Sequence, residues 1–231
     1  MNETKIEWCD YTINPVKGLC PVACSYCYAR AMYKRFKWNP ELRLDLSVFD
    51  ALTFSKPSKV FVGSTIELFH DTIPDDWRWG IFEYCKVRKQ HTFIFLTKQS
   101  QNLIKYSPFP ENCWVGVTAT NWSTFVSACW HLGDVDARVR FISFEPLLEQ
   151  VLGKGTIPAE FDDLKWLIIG QQTPISTKTQ PKIEWIQEIV EAADKTGIPV
   201  FLKENLRTAL DLFSNIPLRQ EFPIKKEFGG E

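Results

Sequence analysis

Apolar residues fall along this chain in short runs, and between the runs they recur at helical spacing. Lys59–Gly63, Thr92–Leu96, Trp114–Val117, Val139–Ile142, Trp166–Ile169 and Pro199–Leu202 read as buried strands, preceded by a first strand around Tyr11–Val16. Helices are predicted over Tyr28–Trp38 and over Asp75–Gln90, the second with acidic residues at its start and Lys86, Arg88 and Lys89 in its last turns, as the helix dipole favours. A short helix stops before Pro108. Asn121 caps another, whose Trp122, Phe125, Val126, Cys129 and Leu132 share one side before Gly133. The last opens at Pro181, carries Ile183, Ile186, Ile189, Val190 and Ala193, and stops at Gly197. Leu147–Asp163 shows no helical period and reads as a long connection.

Strands that alternate with helices predict parallel strands joined by right-handed crossovers. Six or seven such units in one chain predict an α/β fold, a partial (β/α)6–7 TIM-like barrel, with a doubly wound open sheet as the alternative. The open-sheet reading lacks a glycine-rich phosphate loop after any strand. At 231 residues one domain spans the chain, with a short tail after about 215 and a loose end at Phe228–Glu231. Each apolar run ends in polar residues at its carboxyl end: Ser64, Thr65 and Glu67; Thr97 and Lys98; Thr118 and Asn121; Ser143 and Glu145; Gln171 and Gln172; Lys203 and Asn205. That is the end on which barrel enzymes carry their sites, although strand ends meet solvent and are often polar for that reason alone.

Composition narrows the picture. No apolar run approaches the roughly 20 residues of a membrane span, and the polar residues Met1–Tyr11 lack the apolar core of a secretion signal. Seven cysteines in a chain of this length are too few for a disulfide-stapled scaffold, so a cytoplasmic protein with reduced thiols is expected. A formal net charge of -1 means that any contact with nucleic acid must come from a local basic patch.

Three of those cysteines, Cys20, Cys24 and Cys27, are spaced C-x3-C-x2-C. Three thiolates this close can hold three irons of a 4Fe-4S cluster and leave the fourth open, whereas electron-carrying clusters take four cysteines. A zinc site completed by a distant Cys or His, or three unrelated structural cysteines, stay open as readings. Cys85 and Cys129 fall on predicted helices and Cys113 opens a strand, where free cysteines serve as small buried residues.

With Tyr26 before the last cysteine, this spacing resembles the signature of radical S-adenosylmethionine (SAM) enzymes. Further motifs extend the likeness along most of the chain: Ile6-Glu7-Trp8, Asp10-Tyr11-Thr12, Asn14-Pro15, Leu96-Thr97-Lys98, Val115-Gly116-Val117-Thr118, Glu145-Pro146-Leu147-Leu148 and Phe201-Leu202-Lys203. Together they resemble small three-cysteine proteins of phages and bacteria that are grouped with radical SAM barrels. The resemblance implies a 4Fe-4S cluster on Cys20, Cys24 and Cys27, with SAM as cofactor and an external electron donor of flavodoxin or ferredoxin type. It also implies Tyr26 beside the adenine and Ser64, Thr65 and Glu67 at the methionyl ammonium. Lys98 would take the methionyl carboxylate, and Thr118, Asn121 and Glu145 the ribose. Gln171, Gln172, Lys203 and Asn205 would face the substrate.

Two positions depart from the family pattern. Cys9 stands where Thr is usual, which makes its thiol a candidate hydrogen donor, with burial as the plain alternative. Gly170-Gln171-Gln172-Thr173 replaces a common Gly-Gly-Glu-Ser, which puts a shared substrate in question. By analogy with lesion-repairing relatives the expected substrate is a nucleobase or nucleoside, in DNA modification or repair. A peptide or small-metabolite substrate, or a non-enzymatic metal- or nucleic-acid-binding module, remain alternatives. The helix after the cysteines carries Arg30, Lys34, Arg35 and Lys37 among Tyr33, Phe36 and Trp38, which suits either a solvated face or a nucleic-acid track. His70 reads as a loop residue in the first instance.

Overall fold

The computed structural model describes residues 2–52, 56–152, 158–213 and 215–223. It is a mixed α/β protein whose chain divides into two compact units, Met1–Val117 with Asp134–Arg138, and Thr118–Gly133 with Val139–Glu231.

The first unit is built on parallel strands β2 (Tyr11–Ile13), β5 (Lys59–Val62), β6 (Thr92–Thr97) and β7 (Cys113–Thr118), with the short β1 (Asn2–Glu3) antiparallel at the edge of β2. The expected first strand is shorter than its apolar run. Pro15 lacks an N–H for the ladder, and Val16–Lys17 instead forms β3, paired antiparallel with β4 (Arg43–Leu44). Gly18, just past β3, takes φ +128°, and a Cβ there would stand 2.8 Å from the Glu41 carbonyl oxygen, so only glycine fits. Helix α1 (Tyr28–Phe36) follows the cysteine loop, and α2 (Asp75–Lys86) returns the chain from β5 to β6. The segment predicted helical to Gln90 turns off at Val87, where the backbone bends back to bring His91 to the start of β6. The helix before Pro108 is a 3-10 turn, Ser100–Tyr106. Phe69, Phe82, Phe95, Tyr106 and Phe109 pack edge-on or tilted against one another in this core, each ring contributing about 1.5–3 kcal/mol by burial.

In the second unit α3 (Trp122–Gly133) precedes parallel strands β8 (Val139–Phe144), β9 (Trp166–Ile169) and β10 (Val200–Leu202). Helix α4 (Ile183–Thr196) connects β9 to β10 and ends where Gly197 takes φ 72°, its N–H returning to the Ala193 carbonyl. Among the described residues of the connection after Leu147, Ala159–Asp163 forms a 3-10 turn whose Phe161 packs on Phe125. Helix α5 (Arg207–Phe213) follows β10. Of the short tail expected after 215, the described residues run along β10: Arg219 and Glu221 bond its main chain, and Phe222 stacks on Trp166 at 5.5 Å. Phe228–Glu231 lie outside the described residues. Among the described residues no helix is long and apolar enough to cross a membrane.

Candidate functional site

In the first unit, polar residues gather where β2, β5 and β6 end. Asn14, just past β2, accepts from the Thr65 N–H and hydroxyl at 3.1 Å each and exchanges hydrogen bonds with the Ser64 hydroxyl. This pins the turn after β5 to the end of β2. Glu67 is buried and works inward: its carboxylate accepts from the Phe69 N–H at 3.2 Å, the Thr97 hydroxyl, and the Lys98 N–H at 2.8 Å. The loop is fixed from beneath as well. The buried Arg78 donates to the Leu68 and His70 carbonyls at 3.0 Å each, and Asn102 donates to the Phe69 carbonyl at 3.0 Å. His70 bonds locally to Thr72 through Nδ1. Lys98 extends into solvent, with no ion-pair partner among the described residues.

Cys20, Cys24 and Cys27 are free, partly exposed thiols, whereas Cys9, Cys85, Cys113 and Cys129 are buried. Cys20 Sγ accepts from the Glu67 N–H at 3.4 Å, which ties the cysteine loop to the β5 loop. Burial pushes the Cys20 thiol above its ordinary pKa, opposed by N–H groups of Val22 and Glu67 that favour the thiolate. Cys27 caps α1 and its Sγ accepts from the Arg30 N–H at 3.5 Å; the same residue's guanidinium donates to the Cys20 carbonyl at 2.6 Å. Arg30 therefore holds both ends of the thiol loop. Tyr26 is half-buried with its phenol raised in pKa by that burial first and by the Cys24 thiol beside it. Tyr28 donates to the Ser64 carbonyl at 2.7 Å.

As a donor set, three accessible thiols with main-chain N–H groups on two of the sulfurs suit a thiolate-bound iron-sulfur cluster. They do not form a closed cage: among the described residues no three His, Cys, Asp or Glu side chains stand in metal-holding geometry.

Cys9 lies apart from this cluster. It precedes β2, its thiol on the Ile6 carbonyl, and its neighbour Asp10 bonds the N–H of Lys59 at the start of β5. Those are the amino ends of the strands, so the structure does not bring Cys9 to the loop of Cys20, Cys24 and Cys27, and the hydrogen-donor role has no geometric support.

In the second unit the strand ends carry another set. Lys203, after β10, forms an ion pair with Glu145, after β8, the two side chains 12% and 25% exposed. They cross over Gly170, where a Cβ would meet Lys203 Cδ at 2.9 Å and Glu145 Cγ at 3.3 Å. Sequence reading gave these residues separate roles; a pair 58 positions apart carries no local signal. Gln171 and Asn205 clasp each other, with the Asn205 Nδ2 donating to the Gln171 carbonyl at 3.0 Å and the Gln171 amide donating to the Asn205 carbonyl. Among the described residues, Thr118 Oγ1, Ser143 Oγ and Gln171 Oε1 of this unit are buried with no hydrogen-bond partner. Buried polar atoms are nearly always satisfied, so atoms like these mark places for water or ligand. Asn121 caps α3, its Oδ1 accepting from the Thr124 N–H at 3.0 Å, while Gln172 is half-exposed and makes none of these contacts.

A model built for a family of proteins of unknown function matches residues 3–209. No curated protein and no solved structure matches the chain.

Proposed function

The chain belongs to the DUF5131 family, and we propose that this member is a radical SAM enzyme acting on a nucleobase or nucleoside. The observation that carries the reading is the loop of three free, partly exposed thiols beyond β2, with main-chain N–H groups directed at Cys20 Sγ and Cys27 Sγ. Cys20, Cys24 and Cys27 would hold a 4Fe-4S cluster by three corners. When bound and reduced by a flavodoxin- or ferredoxin-type donor, such a cluster supplies the electron that splits SAM into methionine and a 5'-deoxyadenosyl radical, which takes hydrogen from a substrate.

The chain's own residues bind and orient. Lys98 offers an exposed ammonium to the SAM carboxylate. Ser64 and Thr65 lie on the adjoining loop for the methionyl group, and Tyr26 lies next to Cys24 for the adenine. Glu67 acts on this loop as a positioning residue, since its carboxylate already accepts from Phe69, Thr97 and Lys98. For the second unit the reading keeps Thr118, Asn121 and Glu145 for the ribose and Gln171, Gln172, Lys203 and Asn205 for the substrate. The nucleobase substrate rests on analogy with lesion-repairing relatives. The fold expected with this activity is the partial (β/α)6–7 barrel, which a crystal structure of the loaded protein tests.

The deciding experiment is anaerobic reconstitution with iron and sulfide, followed by iron analysis and electron paramagnetic resonance of the reduced protein with and without SAM. A cubane signal that shifts on adding SAM, absent in Cys20→Ala, together with release of 5'-deoxyadenosine, is the expected result. Zinc in place of iron, or a cluster indifferent to SAM, rules the reading out.

A further inference from the structure

Helix α1 and the turn after it carry a feature that cofactor binding does not use. Between Cys20 and Arg43 there are five cations, Arg30, Lys34, Arg35, Lys37 and Arg43, against one carboxylate, Glu41, in a chain whose net charge is -1. The positive charge is therefore local, which the overall balance hides. Lys34, Arg35 and Lys37 are exposed, and none has an ion-pair partner among the described residues. Arg30 is engaged with the Cys20 carbonyl.

Among these cations lie aromatic rings that the core does not claim. Phe36 and Trp38 are 51% and 42% exposed and stack on each other, centroids 5.5 Å apart and planes at 22°. Arg35 lies over Phe36 at 5.2 Å. Trp38 is held in place: Lys37 takes the left-handed conformation at φ 51°, which reverses the chain so that the Trp38 N–H returns to the Tyr33 carbonyl. Tyr33 meets Trp38 edge-on at 5.2 Å. Beside this platform opens a cleft of about 590 Å³, lined by Arg30, Tyr33, Lys34 and Trp38 and shared at one side with Cys24 and Cys27 of the cysteine loop. A cleft of this size suits a small ligand or one or two nucleotides.

Exposed stacked rings flanked by unpaired cations are what a flexible polyanion with flat bases recognises: cations track phosphates, and rings accept bases of any sequence. An acidic protein would satisfy the charge but has no use for the rings. We propose that the α1 face, from Lys34 to Trp38, binds single-stranded nucleic acid. This deepens the functional reading by naming a polymer as partner, yet it does not depend on the radical chemistry, because binding is measured on the purified chain without cluster or SAM.

The test is fluorescence anisotropy with a fluorescein-labelled 20-nucleotide oligothymidylate at 50 and 200 mM salt. Contact through three cations predicts binding about 20-fold weaker at the higher salt. Trp38→Ala should weaken binding at least about fivefold while keeping the salt slope, as loss of a stacked base does. Lys34→Ala should weaken it and lower the slope by about 0.7. Phe36→Ala repeats the stacking test at a second ring, and circular dichroism confirms that the helix survives each change. Trp130→Ala removes a 65% exposed tryptophan from α3 and should leave affinity unchanged.

No binding at 50 mM salt overturns the proposal. So does affinity indifferent to Trp38→Ala and Phe36→Ala, or competition by polyglutamate as effective as by unlabelled oligonucleotide, either of which makes the face a general polyanion or acidic-protein surface. Iron loading is read separately: a chain that loads a cluster but ignores the oligonucleotide loses this inference and keeps the functional reading.

Discussion

Replacing Gly170 by alanine tests whether the Glu145–Lys203 pair depends on the missing side chain beneath it. The added methyl would stand 2.9 Å from Lys203 Cδ and 3.3–3.4 Å from Glu145 Cγ and Cδ. The first contact is too close to persist, and Cδ lies midway along the lysine, so relief requires a new rotamer that carries the ammonium away from its carboxylate. Overpacking of this kind costs about 1–3 kcal/mol. Against it stands a gain of about 0.4–1 kcal/mol, because alanine restricts the unfolded chain more than glycine. The difference is a loss of about 1 kcal/mol, which in a chain of this size lowers the melting midpoint by about 2–4 °C. Thermal unfolding of Gly170→Ala, Lys203→Ala and the double variant makes the test specific. Once Lys203 is truncated the methyl meets only Glu145, at distances a small shift relieves, so Gly170→Ala should cost clearly less in that background. Equal costs in both backgrounds, or a single variant as stable as the parent, would refute the idea that glycine is there to admit the pair.

Glu67→Gln replaces a carboxylate that accepts from Phe69, Thr97 and Lys98 with an amide that has one acceptor oxygen, leaving a buried donor unmatched at a cost of about 1–3 kcal/mol. The Lys98 amide should then exchange hydrogen faster relative to the rest of β6; unchanged exchange would remove Glu67 from its clamping role. In the metal-free protein, iodoacetamide should label Cys20, Cys24 and Cys27 before the four buried thiols, as mass spectrometry of peptides reads directly. Burial raises the Cys20 pKa above 9.0, so its labelling rate should keep climbing past pH 9, and a plateau below that pH contradicts the burial. The sign for stability follows: the native state keeps the Cys20 proton longer than the unfolded chain, so this contribution is full below the unfolded pKa and is lost as pH rises through the native one.

The strands of both units and helices α1 to α4 were legible because each buries one face, and burial writes itself into the sequence as period 2, period 3.6 or an unbroken apolar run. Where the sequence misled, local pattern lost to chain direction. Val16 continued an apolar run but follows Pro15, and β4 is too short to show a period. Val87–Gln90 kept helical composition, yet the chain had to turn there to start β6. The polar residues at strand ends were readable as a set, since turns and sites both leave them there. Their partners were not: Glu67 to Thr97 and Lys98, Glu145 to Lys203 and Gln171 to Asn205 span 30 to 58 positions. The missing side chain of Gly170 also has meaning only once the strands are laid side by side.

The loop from Gly63 to Asp71 illustrates what such distant partners accomplish. Asn14, Arg78 and Asn102 reach it from three other segments, and Glu67, within the loop, ties it to the end of β6. Freezing a residue's backbone costs about 1–2 kcal/mol, and here that cost is incurred during folding. A molecule that docks on this loop meets a surface already set, so its encounter rate is governed by diffusion and orientation, with no wait for a rearrangement. Loosening any one of the four ties would transfer part of the ordering to the moment of binding, and would slow association before it altered a single direct contact.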